Sequence, residues 1–244
     1  MELTDLSGPV ARPMLAACLD CPAGACDFRT QFPKSKTVHR FGLARGERLE
    51  CGQNSCMRFW VVVSGTAATC VAFRDGRRQI AALEPPGSLV CGPMADHGTE
   101  HWLEALDDVE ICEIDVASGS ESVRRNEAFM SSMFRMIHGR LERALMLVSM
   151  LGRLDSQERV TLFLAEMSIQ SGGANAVVSL PMSREDIADY LGLNTETVSR
   201  VFTRIRKSGL VRFLSPTEYL IPDMQAVAAR LPVRIPGYEE GQSE

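Results

Sequence analysis

Residues 183–210 read SREDIADYLGLNTETVSRVFTRIRKSGL, and the fold of the chain is decided there. Ser183 is an N-cap residue, Asp186 three positions on can return a carboxylate to the cap amide, and Met182 is placed to pack on Ile187. The first short helix is expected to stop at Gly192, because glycine takes the left-handed conformation that ends a helix at little cost. Asn194 or Thr195 then caps a second helix. In it Val198, Phe202 and Ile205 recur at helical spacing and face inward, until Gly209 ends it. The other face is polar: Glu196, Ser199 and Arg200 stand at i, i+3 and i+4 and so share one patch of the helix start.

Between residues 197 and 217 lie five basic side chains, Arg200, Arg204, Arg206, Lys207 and Arg212, and no acid, although the formal net charge of the chain is -5. Two short helices joined by a tight turn form a helix–turn–helix, which lays its second helix in the DNA major groove. There Arg200 can donate in a fork to guanine O6 and N7, Glu196 can accept from an exocyclic base amine, and Ser199 can touch a thymine methyl. Arg204, Arg206, Lys207 and Arg212 would meet phosphates, which add salt-dependent affinity without reading sequence. A helical hairpin with a solvated basic face is the plainer account of the same residues.

At 244 residues the chain can bury a sizeable core and hold two modest domains. With 45% hydrophobic and 23% charged residues it has an ordinary globular composition. No apolar run is long enough for a bilayer span, and the start, MELTDLSGPVARP, has neither a basic n-region nor an apolar core. A cytoplasmic protein with no membrane partner is expected. In that reducing compartment eight cysteines read as metal ligands, redox thiols or small buried side chains rather than disulfides.

Three of them, Cys18, Cys21 and Cys26, fall within nine residues among Pro, Gly and Ala. Closely spaced thiolates can share one soft metal centre, and three ligands need a fourth. A thioredoxin-like use of Cys18 and Cys21 would want a strand before and a helix after, which residues 13–28 do not suggest, and a thiol oxidoreductase would lack any base or substrate constellation. Cys51 and Cys56 flank a hairpin tip, where either could replace Cys26, while Cys70 and Cys91 lie within strand patterns and read as buried hydrophobes.

From residue 39 to 118 short strand patterns, at 59–64, 66–74, 77–83, 88–91, 102–105 and 109–115, are separated by turn signals such as Asp75-Gly76 and Pro85-Pro86-Gly87. Such spacing predicts an antiparallel roll or barrel. Residues 121–151 contain no proline and a single glycine, so one helix of about 30 residues follows. Met130, Phe134, Ile137, Leu141, Ala144, Val148 and Leu151 keep a 4-3 spacing, the pattern of a two-helix seam. A second stripe, Met133, Met136, Leu145 and Leu147, is read as packing on the chain's own barrel, and the first on a partner chain. Asp155 and Glu158 make a capping box for a further helix with Val160, Phe163, Leu164 and Met167 inward. Strands at 177–180, 211–214 and 219–221 around the turn Ser215-Pro216-Thr217 complete a wing, on which Arg212 sits.

The stretch Thr195-Glu196-Thr197-Val198-Ser199-Arg200 resembles the Glu-x-x-Ser-Arg recognition helix of the Fnr-like branch of the Crp/Fnr transcription regulators. The run FWVVVSGTAATCVAFRDGRRQIAALEPPGSLVCG resembles the family's sensor barrel. What the resemblance implies is an α+β protein, with an antiparallel β-roll of the cyclic-nucleotide-binding type, a long dimerisation helix and a C-terminal winged helix–turn–helix. Its parts would be 1–37, a cysteine-containing segment; 38–118, the sensor; 119–152, the dimer helix; 153–234, the DNA-binding domain; and 235–244, an acidic tail. It further implies that Glu196, Ser199 and Arg200 read TTGAT-type half-sites of a palindromic promoter as a homodimer, with RNA polymerase as a further partner.

In some members the barrel holds cyclic nucleotide through a Gly-Glu-Leu and a downstream arginine. Neither is present here, and no Lys or Arg lies between Arg78 and Arg124, so no cyclic nucleotide is expected. By the same resemblance Cys112 stands where Fnr-like oxygen sensors carry the fourth ligand of a [4Fe–4S] cluster, giving the set Cys18, Cys21, Cys26 and Cys112. The four-residue gap between Cys21 and Cys26 is one shorter than the commonest family pattern. Zinc or no metal at all are the other readings of that set, and a haem held through His97 or His101, a small molecule or thiol oxidation are the other inputs. Those oxygen sensors carry a seam carboxylate where Ala144 aligns, which implies a dimer that forms more readily without cofactor.

Overall fold

The computed structural model describes residues 38–50, 58–91, 100–115 and 127–239. Within the first three stretches the chain runs as β1 (Val38–Leu43), β2 (Arg48–Glu50), β3 (Arg58–Ser64), β4 (Ala67–Ala72), β5 (Arg78–Glu84), β6 (Leu89–Cys91), β7 (Glu100–Ala105) and β8 (Val109–Asp115). They pair antiparallel into two sheets of four, ordered β1-β8-β3-β6 and β2-β7-β4-β5. Trp60, Val62, Val90, Val109 and Ile111 from the first sheet meet Ala67, Leu103 and Ala105 from the second in one buried core. This is the expected roll. β1 and β2 add strands that had not been read from the sequence.

The turn between β3 and β4 shows why its residues are fixed. Gly65 takes φ +75°, and a Cβ there would run into the Asp108 carbonyl oxygen and lie 2.6 Å from Asp107 Oδ1. That carboxylate is engaged, accepting from the Thr66 amide at 2.6 Å. Only glycine combines the left-handed backbone with that approach.

The C-terminal part consists of α1 (Glu127–Arg153), α2 (Ser156–Gln170), β9 (Val178–Ser179), α3 (Arg184–Leu191), α4 (Thr195–Ser208), β10 (Arg212–Phe213), β11 (Glu218–Leu220) and α5 (Met224–Ala228). The chain divides into two compact units, Met1–Ala144 and Leu145–Glu244, and the division falls inside α1. No described helix is long and apolar enough to cross a membrane.

In the second unit the capping box at Asp155 forms as expected: its carboxylate accepts from the Gln157 and Glu158 amides, and Glu158 returns a bond to the Asp155 amide. Val160, Phe163 and Leu164 are buried, and Met167 is half-buried. Three helix-end carbonyls converge on Arg159, whose guanidinium donates to Leu151 O at 2.7 Å, Leu154 O at 2.9 Å and Leu191 O at 3.1 Å. Carbonyls at a helix end have no partner inside the helix, so one cation satisfies the ends of α1 and α3 together. The wing forms a three-stranded sheet, β10-β11-β9, anchored by Tyr219, whose hydroxyl donates to Leu164 O at 2.7 Å. Burial pushes the Tyr219 phenol far up, so this donor stays protonated.

Candidate nucleic-acid interface

Local chemistry builds the reading head. The Ser183 amide and hydroxyl both donate to the Asp186 carboxylate, at 2.8 and 2.7 Å, and Ser183 Oγ accepts from the Asp186 amide, closing the capping box of α3. Gly192 ends α3 at φ +62°. Asn194, rather than Thr195, caps α4, its Oδ1 accepting from the Thr197 amide at 2.7 Å. Gly209 closes α4 with φ +74°. Val198, Val201, Phe202 and Ile205 are buried and hold α4 on the domain. With that face committed to the core, Glu196, Ser199 and Arg200 are all exposed on the other.

Glu196 and Arg200 form an i,i+4 ion pair through Oε1 and Nη2, both side chains about 70% exposed. The acid and the guanidinium assigned to base edges therefore hold one another in the free protein. Of the four basic residues expected at phosphates, Arg206, Lys207 and Arg212 are exposed with their side chains on the outer surface. Arg204 is exposed too, but its Nη1 donates to Gln157 Oε1 at 3.1 Å, which ties it to α2.

Sequence reasoning missed Arg184. Its guanidinium lies 3.6 Å over the Phe202 ring and donates to Pro216 O at 2.9 Å, joining the start of α3 to the tip of the wing. Burial, and then the nearby Arg206 cation, push its guanidinium below the ordinary arginine range. Arg184 and Arg206 line a cleft of about 360 Å³ together with Phe202, Phe213 and Pro216. Two cations facing one groove suit a phosphate. The signal available in the sequence was a basic residue directly after a helix cap, where it shares the end of the helix with the wing.

The seam residues also have places in the structure. Phe134 and Val148 are 67% exposed and Leu141 55%, with Met130, Ile137 and Ala144 exposed beside them. Leu151 is half-buried, its Cδ2 3.4 Å from where a Gly192 Cβ would stand, so it faces its own domain. Leu145 corrects the assignment of the second stripe: it is 58% exposed, with Leu141 and Val148, whereas Leu147 and Met150 are buried. The reason is helical pitch. At 100° per residue Leu145 lies about 40° from Leu141 and about 200° from Leu147, so it shares the face of the first, while the drift of about 20° per heptad between a 4-3 count and a straight helix turns Leu151 inward.

Of the proposed cluster ligands, Cys18, Cys21 and Cys26 lie outside the described residues, as do Cys51, Cys56 and His97. Cys112 is half-buried on β8, directly opposite Arg40 of β1 and Val61 of β3. Residues directly opposite in an antiparallel pair share a face, and the Arg40 guanidinium pairs there with the carboxylate of Glu110, two positions from Cys112 on β8. Among the described residues no group of three metal-ligating side chains comes together. Cys70 is fully buried, as a small hydrophobe would be.

Residues 158–230 match the profile of the Crp-like helix-turn-helix domain. The nitrogen fixation regulation protein FixK of Azorhizobium caulinodans is 33% identical over 172 residues, which span 69% of either chain. The chain belongs to the Crp/Fnr family. A second Crp/Fnr relative, FixK of Bradyrhizobium diazoefficiens, is 30% identical over 178 residues, 72% of this chain and 75% of that one. The solved structure of FixK2 from Bradyrhizobium japonicum superposes with a TM-score of 0.70 at 27% identity, covering 80% of this chain and 98% of that one. As a Crp/Fnr member the chain is a DNA-binding transcription regulator rather than an enzyme, and the sheets, long helix and winged helix–turn–helix are that family's α+β fold.

Proposed function

We propose that this regulator acts as a homodimer on a TTGAT-like palindromic site, reading each half with Glu196, Ser199 and Arg200. We further propose that a [4Fe–4S] cluster on Cys18, Cys21, Cys26 and Cys112 makes its DNA affinity respond to oxygen. The observation that carries the DNA reading is the joint exposure of the three side chains on the open face of α4. On DNA, Glu196 and Arg200 exchange their mutual ion pair for base contacts; an exposed pair is worth at most about 1 kcal/mol, so giving it up costs little. Arg184, Arg206, Lys207 and Arg212 then neutralise phosphates and fix the register.

The dimer is supported by the exposed apolar row Phe134, Ile137, Leu141, Leu145 and Val148, which a soluble monomer would leave in water. A second copy laid against the same row by two-fold symmetry covers it, and the seam then has to present two copies of α4 to major grooves about 34 Å apart. RNA polymerase is the expected further partner at the promoter. When bound, the cluster would supply sensitivity to oxygen, and Cys112 on β8 would tie it to the roll.

The test uses anaerobically purified protein, titrated into fluorescent duplexes carrying the palindrome or a scrambled sequence at one fixed salt concentration. Iron, sulfide and the absorption spectrum are measured before and after air. The expected result is a preference for the palindrome of about 10³-fold or more, lost on aeration together with iron and sulfide. Palindrome binding by protein with neither element would retain the DNA reading and move the input to haem, thiol oxidation or a small molecule, a Soret band marking haem. Equal binding to both duplexes in every state would refute the DNA reading.

A further inference from the structure

Arg140 is a charged residue in the middle of a long helix, yet its guanidinium points into the roll. Its Nη1 donates to Leu89 O at 3.0 Å, and its Nη2 donates to Thr69 Oγ1 at 3.1 Å and pairs with Glu84 Oε1 at 2.9 Å. Thr69 in turn donates its hydroxyl to the same Glu84 oxygen at 2.8 Å. Thr69 and Glu84 belong to β4 and β5 of one sheet and Leu89 to β6 of the other, so one side chain of α1 fastens both sheets. Glu84 is completely buried, and its second oxygen, Oε2, accepts no hydrogen bond from the described residues.

We propose that the buried Glu84–Arg140 pair is a positioning latch that fixes the rotation of α1 on the sensor roll and thereby selects which face of α1 is offered as the dimer seam. This rests on the homodimer proposed above. The geometry carries it. A buried ion pair contributes little net stability compared with apolar side chains of the same size, but it is directional and fixes one arrangement out of several. Leu141 follows Arg140 by one residue, so the two point about 100° apart around the helix axis. With Arg140 held on Glu84, Leu89 and Thr69, Phe134 and Leu141 are turned about 100–120° round the helix from that contact and are left exposed. A slip of α1 by one residue would break all three contacts and turn the row by about 100°.

The test compares wild type, Glu84→Gln, Arg140→Met and the double variant Glu84→Met with Arg140→Met, as full chains. Dimerisation is followed by sedimentation equilibrium and folding by thermal melting. Replacing both charges by well-packed apolar side chains should leave the melting temperature near that of wild type while removing the directional hold. A latch therefore shows as a double variant that melts like wild type but dimerises at least about tenfold more weakly, with faster hydrogen exchange along residues 127–144. Glu84→Gln, which keeps the shape and removes the charge, should weaken the dimer in the same direction. A double variant and a Glu84→Gln variant that both dimerise with wild-type affinity would overturn the latch. A wild type that stays monomeric at every concentration would instead overturn the dimer on which it rests.

Discussion

Leu141→Ala should separate the dimer without unfolding the chain. Leu141 lies mid-row on α1 and is 55% exposed in the single chain. Fully burying a leucine side chain is worth about 1.5–3 kcal/mol, so covering the exposed half contributes about 1 kcal/mol. In a two-fold seam each residue occurs twice, which doubles the effect to about 2 kcal/mol per dimer. At about 1.4 kcal/mol per decade, that is a roughly 30-fold rise in the dimer dissociation constant. Sedimentation equilibrium over a range of loading concentrations measures it, with circular dichroism confirming unchanged helix content. Leu147→Ala is the contrasting case: that side chain is buried in the single chain, so its loss should lower the melting temperature. A Leu141→Ala dimer within twofold of wild type would show that this row is not the seam.

Glu166 gives a pH dependence. Burial pushes its carboxyl up to about 7, from the usual 4.5. The folded state therefore holds a proton that the unfolded chain has released, and the stability this contributes is full below pH 4.5 and lost as pH rises through about 7. Glu166→Gln should melt like wild type at pH 5 and be more stable by about 1–3 kcal/mol at pH 8; an equal difference at both pH values would contradict this. Gly65→Ala should cost the sensor unit about 3 kcal/mol or more in urea unfolding, because its Cβ would meet Asp107 and Asp108 at positive φ. An unchanged midpoint would contradict the tight turn.

How much of this was legible in the sequence depended on how far apart the interacting residues lie. The helix–turn–helix was read almost in full because each cap is local: Ser183 with Asp186, Asn194 with Thr197, and glycines at 192 and 209. β1 was not, since its partner β8 lies some seventy residues on and the alternation of His39 and Arg40 with apolar neighbours is weak over six residues. β2 has three residues and draws its order from pairing with β7. Leu145 belongs to the exposed row because it follows Leu141 by four residues, about 40° round the helix, and stands nearly opposite Leu147. The Glu84–Arg140 pair had no local sign at all. An arginine on a long helix reads as solvated, and only the closed roll brings it to a carboxylate fifty-six positions away. The interface cleft is half-visible in the sequence: its one basic residue on α4, Arg206, is legible there, while Arg184 joins it only once the wing folds back to place Pro216 beside it.

The assignment of base reading to the exposed face of α4 is tested most directly by Arg200→Ala against a duplex series in which each base pair of the half-site is changed in turn, with Lys207→Ala run in parallel. Arg200→Ala should lose about 1–3 kcal/mol on the intact site and become indifferent to substitution at one base pair, while Lys207→Ala weakens every duplex alike. Discrimination at every base pair that is unchanged in Arg200→Ala would contradict the assignment.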